Sequence, residues 1–150
     1  MNIKKLEASL FQLTKSEQYH QGHDPLTLSE RYKNIQKINY QDRSMYLFTF
    51  NSLFENKYVI VNKESRFTFI PEHIHTVIEF IYVYSGKCTQ TIDGKKVFME
   101  QGDICMLDTN VPHSIAYLNE EDIIISIEIR KEYLTQGFLN RLGDNGIINS

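Results

Sequence analysis

Apolar positions near the start of the chain recur at helical spacing. They fall at intervals of three and four residues, at Ile3, Leu6, Leu10 and Leu13. This period predicts a helix from about Asn2 to Ser16. The following stretch, residues 18–25, is polar and contains a glycine and a proline, so it predicts a loop.

A second helix start is predicted shortly afterwards. The run Thr27-Leu28-Ser29-Glu30 matches a capping box, in which the threonine hydroxyl and the glutamate carboxylate bond free amides. A short helix to about Lys37 would follow. We therefore assign residues 1–43 to an N-terminal helical arm.

From Ser44 onward the pattern changes to short runs rich in aromatic and β-branched residues, which predict strands. The predicted strands lie at 45–50, 58–61, 66–70, 79–85, 89–92, 95–99, 104–107, 114–118 and 123–129. Asp93-Gly94 suits a two-residue hairpin turn with positive φ, and Asn110 suits a left-handed bend. Closely spaced strands without intervening helices predict an all-β antiparallel barrel or sandwich over residues 44–130.

The end of the chain returns to a helical pattern. Leu134, Phe138 and Leu142 are spaced by four, and Gly143 suits the end of a helix, so a C-terminal helix is predicted over residues 131–142. Residues 147–150 resemble the start of a further element. We therefore interpret residues 131–150 as a helix and the beginning of a linker in a longer polypeptide.

Composition limits the class of protein. The chain has 150 residues, 41% hydrophobic and 23% charged, which fits one globular domain. A net charge of −3 with scattered basic residues argues against binding of DNA by this chain alone. No apolar run reaches the roughly 18 residues that span a bilayer, and no signal peptide is recognised. Cys88 and Cys105 match no close metal motif, so two reduced cysteines and a cytoplasmic location are expected.

Three histidines and a glutamate carry the candidate chemistry: His73, His75, Glu79 and His113. In a strand, His73 and His75 share a face roughly 7 Å apart, but Glu79 would lie roughly 13 Å beyond His75. Glu79 can therefore join the histidines only if the chain reverses within residues 76–78. Three imidazoles and a carboxylate form a ligand set for Zn, Ni, Mn, Fe or Cu. The alternative is a polar patch that contacts a ligand without a metal.

The spacing of these residues resembles two known motifs. The run from His73 through Gly86 is similar to the first cupin motif, and the run from Gly102 through His113 is similar to the second. The resemblance implies a double-stranded β-helix barrel with the four side chains meeting inside. Departures from the motifs include Phe67, Asp108 and Asn110, and Tyr117 stands where the late asparagine is usual.

Within cupins, the chain most resembles the N-terminal sensor domain of AraC/XylS-type transcriptional regulators. The resemblance implies a homodimer that binds a small effector, often a carbohydrate, with DNA held by a separate C-terminal helix-turn-helix domain absent from this chain. The expected ligand-binding residues are His73, His75, Glu79, His113 and Tyr117.

Three functions remain open from the sequence. A non-enzymatic sensor and dimerisation domain is the leading hypothesis. A stand-alone metal-dependent cupin enzyme, a dioxygenase or an isomerase, is the main alternative. A structural cupin with a closed pocket is the third.

Overall fold

The structure, a computed structural model, describes residues 2–49 and 58–134. Two short helices come first, α1 (Ile3–Phe11) and α2 (Lys15–Gln21), followed by a 3₁₀ turn at Glu30–Asn34. The strands are β1 (Lys37–Tyr40), β2 (Arg43–Phe48), β3 (Val59–Lys63), β4 (Ile70–His75), β5 (Ile78–Ser85), β6 (Lys87–Ile92), β7 (Lys95–Glu100), β8 (Ile104–Leu107), β9 (His113–Ile115) and β10 (Ile123–Ile129). A second 3₁₀ turn, Lys131–Tyr133, ends the described part of the chain.

The strands form two sheets that share one core. The six-stranded sheet has the order β1-β2-β4-β9-β6-β7, and the four-stranded sheet has the order β3-β10-β5-β8. Buried residues from both sheets, including Phe48, Ile81, Cys88 and Ile124, pack in a single cluster. The prediction of a strand-rich sandwich is confirmed, but β2 and β4 pair in parallel, so the sheets are not wholly antiparallel as predicted. Among the described strands no ladder joins the two sheets, so the fold is a sandwich and not the closed barrel that the resemblance implied.

The N-terminal segment differs from its prediction in three ways. One long helix to Ser16 was predicted, but α1 ends at Phe11 and Thr14 caps α2. The Thr14 side chain accepts from Glu17 N, and Thr14 N donates to the Glu17 carboxylate. This capping box was overlooked, and the one predicted at Thr27–Glu30 makes no side-chain cap at the 3₁₀ turn. Strand β1 lies within the segment predicted to be helical, because Lys37–Tyr40 pairs with β2.

Strand β4 also differs from its prediction, which ended a strand before Pro71. Pro71 lies inside β4, whose ladder with β9 shifts register between Ile70 and His73. A proline cannot donate to a ladder and is accommodated at such an irregularity. The shift therefore lets β4 continue to His75.

The turns were predicted more accurately than the strand ends. Asp93 and Gly94 have φ values of 48° and 81° between β6 and β7, and Asn110 has a φ of 62°, so both turn predictions are confirmed. Gly86 also has a positive φ of 71°, and a Cβ there would lie 2.6 Å from the Glu121 carbonyl oxygen. Glycine is therefore required where β5 turns into β6.

The predicted C-terminal helix is described only at its start, where Lys131–Tyr133 forms a 3₁₀ turn and Leu134 is buried. Phe138 and Leu142 lie outside the described residues. Cys88 and Cys105 are free thiols. In the described part of the chain, every helix is too short or too polar to cross a bilayer.

A buried ionic cluster attaches the N-terminal helices to the sandwich. The Arg66 guanidinium donates to Glu17 Oε2 at 2.6 Å and to the Phe11 carbonyl at 2.9 Å, and Lys63 donates to Glu17 Oε1 at 2.9 Å. Glu17 is fully buried and Arg66 is 2% exposed. Burial acts to raise the pKa of Glu17, but hydrogen bonds from Arg66, Thr14 and Lys63 outweigh it and lower the pKa to about 2.

We expect Glu17→Gln to destabilise the protein by about 3–5 kcal/mol at pH 7, because it leaves Arg66 and Lys63 buried without their counter-charge. Since the folded-state pKa of Glu17 is depressed, its contribution is present above pH ~4.5 and is lost as the pH falls toward 2. Urea denaturation of both proteins at pH 7 and pH 3 measures the difference, which should shrink at pH 3.

The matched control is Glu30→Gln, which removes the exposed pair with Lys33. This substitution should leave the unfolding midpoint nearly unchanged, because an exposed ion pair is largely screened by solvent. A Glu17→Gln protein as stable as the Glu30→Gln protein at pH 7 would contradict the assigned role of the buried cluster.

Candidate metal and ligand site

The four candidate ligands come from three strands in two sheets. His73 and His75 lie on β4, and His113 on β9 is the direct cross-strand partner of His73. Glu79 lies on β5 in the other sheet. Strand β4 ends at His75 and β5 begins at Ile78, so the chain reverses where the distance argument required.

The reversal brings the four side chains into contact. The imidazole nitrogens of His73, His75 and His113 lie within 4.8 Å of one another. Glu79 Oε2 is 3.3 Å from His75 Nε2, and Glu79 Oε1 is 3.2 Å from His113 Nε2. All four residues are at most 5% exposed. The cluster is therefore a compact buried group, and its assignment as a metal site remains a prediction.

Two backbone contacts fix which nitrogen of two imidazoles carries a proton. His73 Nδ1 lies 2.7 Å from the Pro71 carbonyl oxygen, and His113 Nδ1 lies 2.9 Å from the Val111 carbonyl oxygen. A carbonyl only accepts, so both Nδ1 atoms donate. Nε2 of each neutral ring then carries a lone pair directed into the cluster. Metal-ligating histidines show this arrangement, with the outer nitrogen bonded to a carbonyl or carboxylate.

The centre of the cluster has an excess of acceptors. The lone pair of His113 Nε2 faces Glu79 Oε1, a contact that requires a proton or a cation between the two atoms. His73 Nε2 and His75 Nε2 are 2.8 Å apart, so in the absence of a cation His75 must donate to His73. One transition-metal ion would satisfy all these lone pairs together.

The distances also fit a metal ion. Ligands at about 2.0–2.2 Å from a zinc-sized ion lie roughly 3–3.5 Å from one another. The contacts of Glu79 with His75 and His113, at 3.3 Å and 3.2 Å, lie in that range. His73, His75, Glu79 and His113 would hold the ion. When bound, such an ion would act as a Lewis acid on an oxygen of a small molecule.

Burial keeps two of the imidazoles neutral. Desolvation and the neighbouring His113 and His75 lower the pKa of His73 well below its ordinary value. Desolvation also lowers the pKa of His75 to about 4, against the opposing charge of Glu79. Neutral imidazoles are the metal-binding form. Both rings therefore remain neutral, and able to bind a cation, at pH values below the ordinary pKa of imidazole.

The carboxylates beside the histidines divide into ionised and protonated forms. Burial acts to raise the pKa of Glu79, but its contacts with His113 and His75 outweigh it and lower the pKa. Glu128 is the cross-strand partner of Glu79 on β10. Burial and the neighbouring Glu79 and Glu64 raise the pKa of Glu128 to about 8. Glu128 thus holds a proton beside an ionised Glu79 and accepts from Asn62 Nδ2 at 3.1 Å.

A cavity of about 760 Å³ opens beside the cluster. His73, His75 and Glu79 line it, whereas His113 contacts Glu79 and the His73 ring from outside the lining. Pockets for small molecules span roughly 300–1,000 Å³. The N-terminal segment forms part of the wall, through Ser16, Ser29, Arg31, Tyr32, Asn34, Ile35 and Gln36.

The structure places Tyr117 away from the other predicted ligand-binding residues. Tyr117 is 38% exposed and is not among the described residues that line the cavity. The prediction that it contacts a ligand is therefore not supported by its position. The strand that was predicted over residues 114–118 ends at Ile115, before Tyr117.

Four charged lining residues were missed by the sequence analysis: Arg31, Lys63, Glu64 and Glu128. A signal existed for Glu128, which interrupts the apolar run Ile123–Ile129 together with Ser126, both on the buried face. A carboxylate on the buried face of an apolar strand is unusual. Arg31 carried no such signal, because only the folding of the N-terminal segment over the sandwich brings it to the cavity.

Residues 66–127 match the protein-family model described as "Cupin domain", which supports a cupin domain over this segment. No curated protein matches the chain. Among solved structures, a cupin protein from Bacteroides fragilis is 20% identical, with a TM-score of 0.44, over 68% of this chain and 89% of that one.

Two further structures resemble the chain. KdgF from a Halomonas species is 19% identical, with a TM-score of 0.41, over 51% of this chain and 72% of that one. An HTH_3-family transcriptional regulator from Vibrio cholerae is 20% identical, with a TM-score of 0.39, over 47% of this chain and 41% of that one. None of these likenesses bears on what this chain binds.

We expect the chain to bind one divalent transition-metal ion, and His73→Ala or His113→Ala to weaken that binding. The loss should exceed the roughly 10–100-fold that removal of an outer-shell partner causes. Elemental analysis after loading with Zn²⁺ or Ni²⁺, followed by chelator competition, measures both stoichiometry and affinity. Binding should weaken on acidification as the imidazoles take up protons, at a lower pH than for free imidazole.

His23→Ala is the matched control, because His23 is exposed on the N-terminal segment and stacks on Tyr19. It should bind metal as the parent protein does. Equal metal affinity in the parent, the His23→Ala and the His113→Ala proteins would exclude the cluster as the metal site.

Proposed function

We propose that this chain is the ligand-sensing and dimerisation domain of an AraC-type transcriptional regulator, binding a small effector, a carbohydrate, in the cavity. The observation that carries the proposal is the composition of the cavity wall. One side includes His73, His75 and Glu79 of the sandwich, and the other includes Arg31, Tyr32 and neighbouring residues of the N-terminal segment. A bound effector would therefore contact both parts.

The polar and aromatic lining suits a carbohydrate. His73, His75 and Glu128 present donors and acceptors for hydroxyl groups, and Asn62 adds an amide. Tyr32 and Phe48 also line the cavity, with ring centroids 5.9 Å apart. Aromatic rings offer an apolar face against which a sugar ring can pack.

Signalling would proceed by a shift between two arrangements of the N-terminal segment. Lys63 anchors Glu17 and also lines the cavity, and Glu64 and Ser65 follow it in the wall. An effector that contacts this stretch binds better to one placement of α1 and α2 than to another. Differential affinity of that kind is what changes a conformational equilibrium.

The remaining parts of the proposal concern a longer protein. The chain would act as a homodimer, with the helix predicted over residues 131–142 contributing contacts, and DNA would be held by a separate C-terminal domain. A transition-metal ion, Zn, Ni, Mn, Fe or Cu, held by His73, His75, Glu79 and His113 would contribute to effector binding.

We expect at least one member of a broad carbohydrate panel to raise the melting temperature in a saturable manner and to remain chemically unchanged. Binding at 100 times Kd stabilises a protein by about 2.7 kcal/mol, which shifts the melting temperature by several degrees. Hydrogen exchange with and without that sugar should show slower exchange at residues 30–36, since these residues wall the cavity. A panel that shifts neither quantity would count against carbohydrate sensing.

A metal-dependent cupin enzyme is the second candidate function. The observation that favours it is the position of Glu128 directly across from Glu79, at the cavity and beside the proposed metal ligands. A carboxyl group in that position can hold or accept a proton near a reacting oxygen. Metal-loaded protein would then turn over substrate in oxygen-uptake or isomerisation assays, and Glu128→Gln would abolish turnover. Binding without turnover in both the parent and the variant favours the sensor.

A further inference from the structure

The cavity contains two basic side chains among its described lining residues, Lys63 and Arg31. Lys63 is fully engaged, because its ammonium donates to Glu17 Oε1 and to the carbonyls of Leu10 and Gln12. Those three bonds use all the donors of a lysine. Lys63 therefore has no hydrogen left for a ligand.

Arg31 makes fewer hydrogen bonds to the described residues than Lys63 does. Its Nη2 donates to the Tyr32 hydroxyl at 2.9 Å, and the guanidinium lies 5.0 Å from the Tyr32 ring centroid and 5.7 Å from that of Phe48. No carboxylate of the described residues lies within ion-pair distance of it. An arginine has five N–H donors, so most of them remain for another acceptor.

Arg31 and two of the histidines adjoin the same aromatic side chain, Phe48. The Phe48 ring lies against the guanidinium on one side, and its centroid is 4.7 Å from that of His73 and 5.4 Å from that of His75. The guanidinium and the imidazole cluster thus adjoin the same aromatic side chain in the same cavity. A small molecule in the cavity could contact Arg31 at one end and the imidazole cluster at the other.

The other polar groups of the cavity do not supply a partner for an anion. Glu79 is bonded to His75 and His113, and Glu128 accepts from Asn62 and from Ser126. Glu64 also lines the cavity, and its charge acts on Arg31 without forming an ion pair with it. These carboxylates are acceptors themselves. The planar guanidinium is the group that matches a ligand carboxylate, since it can donate two parallel hydrogen bonds to both oxygens.

We propose that Arg31 is the anion-recognising residue of this cavity and that the effector carries a carboxylate, as a sugar acid or a hydroxy acid does. The inference rests on the proposed function, whose effector it narrows from carbohydrates in general to acidic ones. It also makes the N-terminal segment the source of the specificity. Loss of the carboxylate from the ligand, or of the guanidinium from the protein, should have the same effect on affinity.

The experiment compares ligands that differ only in the carboxylate. D-Glucuronate is paired with D-glucose, D-galacturonate with D-galactose, and D-glycerate with glycerol. Calorimetric titration of the full chain, with and without added Zn²⁺, measures each affinity in the parent, Arg31→Gln and Arg31→Lys proteins. We expect the acid of at least one pair to bind about 10- to 100-fold tighter than its neutral partner, the range for a charged hydrogen-bonded pair.

Arg31→Gln should remove that preference, and Arg31→Lys should restore part of it, because a lysine keeps the charge but loses the bidentate geometry. Arg43→Gln is the control, since Arg43 pairs with Glu72 on the surface and does not line the cavity. It should bind as the parent does. Unchanged melting temperatures of the variants without ligand would show that the fold is intact.

The outcomes separate this inference from the proposed function. If neutral sugars bind as tightly as their acids, or if Arg31→Gln leaves the preference unchanged, the inference is overturned while carbohydrate sensing stands. If glycerate binds through Arg31 and no sugar or sugar acid binds, anion recognition stands and carbohydrate sensing fails. If none of the six compounds binds, the inference is overturned, and if the broad carbohydrate panel also shifts no melting temperature, carbohydrate sensing fails with it.

Discussion

The buried lone pairs at the centre of the sandwich impose the constraint on which the remaining features depend. His73 and His113 each donate outward to a carbonyl and so direct Nε2 inward, toward His75 and the ionised Glu79. Electron-rich groups cannot share a buried volume without a compensating positive charge, because desolvation of each costs several kcal/mol. A proton or a metal cation must therefore lie among them. The raised pKa of Glu128, about 8, is part of the same balance, since a second ionised carboxylate across from Glu79 would add to the repulsion.

The buried polar cluster lies between the two sheets of the sandwich. The histidines belong to the six-stranded sheet, and Glu79 and Glu128 belong to the four-stranded sheet. No ladder joins the two sheets within the described residues, so their separation is determined by side-chain packing and by this polar contact. A cation held between the histidines and Glu79 would connect the sheets directly. The polar cluster is thus one of the contacts that connect the two sheets.

Sequence reasoning reached the parts of the structure that depend on local chemistry. The Asp93-Gly94 hairpin, the left-handed Asn110 and the reversal before Glu79 follow from backbone geometry and were predicted correctly. The errors arose where tertiary contacts decide. A bulge in the β4–β9 ladder accommodates Pro71, and pairing with β2 makes a strand of Lys37–Tyr40. Arg31 could not be found at all, because its position depends on how the N-terminal segment docks, and that docking rests on Arg66 meeting a glutamate 49 residues away.

The four residues from Lys63 to Arg66 connect the N-terminal helices to the cavity in the sandwich. Its ends, Lys63 and Arg66, hold Glu17 of the N-terminal helices, and its middle, Glu64 and Ser65, lines the cavity. A ligand that displaces Glu64 must act on the same short backbone that carries the anchors of Glu17. Movement of Glu64 would reach Glu17 through the backbone alone, because Lys63 and Arg66 cannot move independently of the two residues between them. The N-terminal helices are therefore attached, through the buried Glu17, to a segment that also lines the cavity.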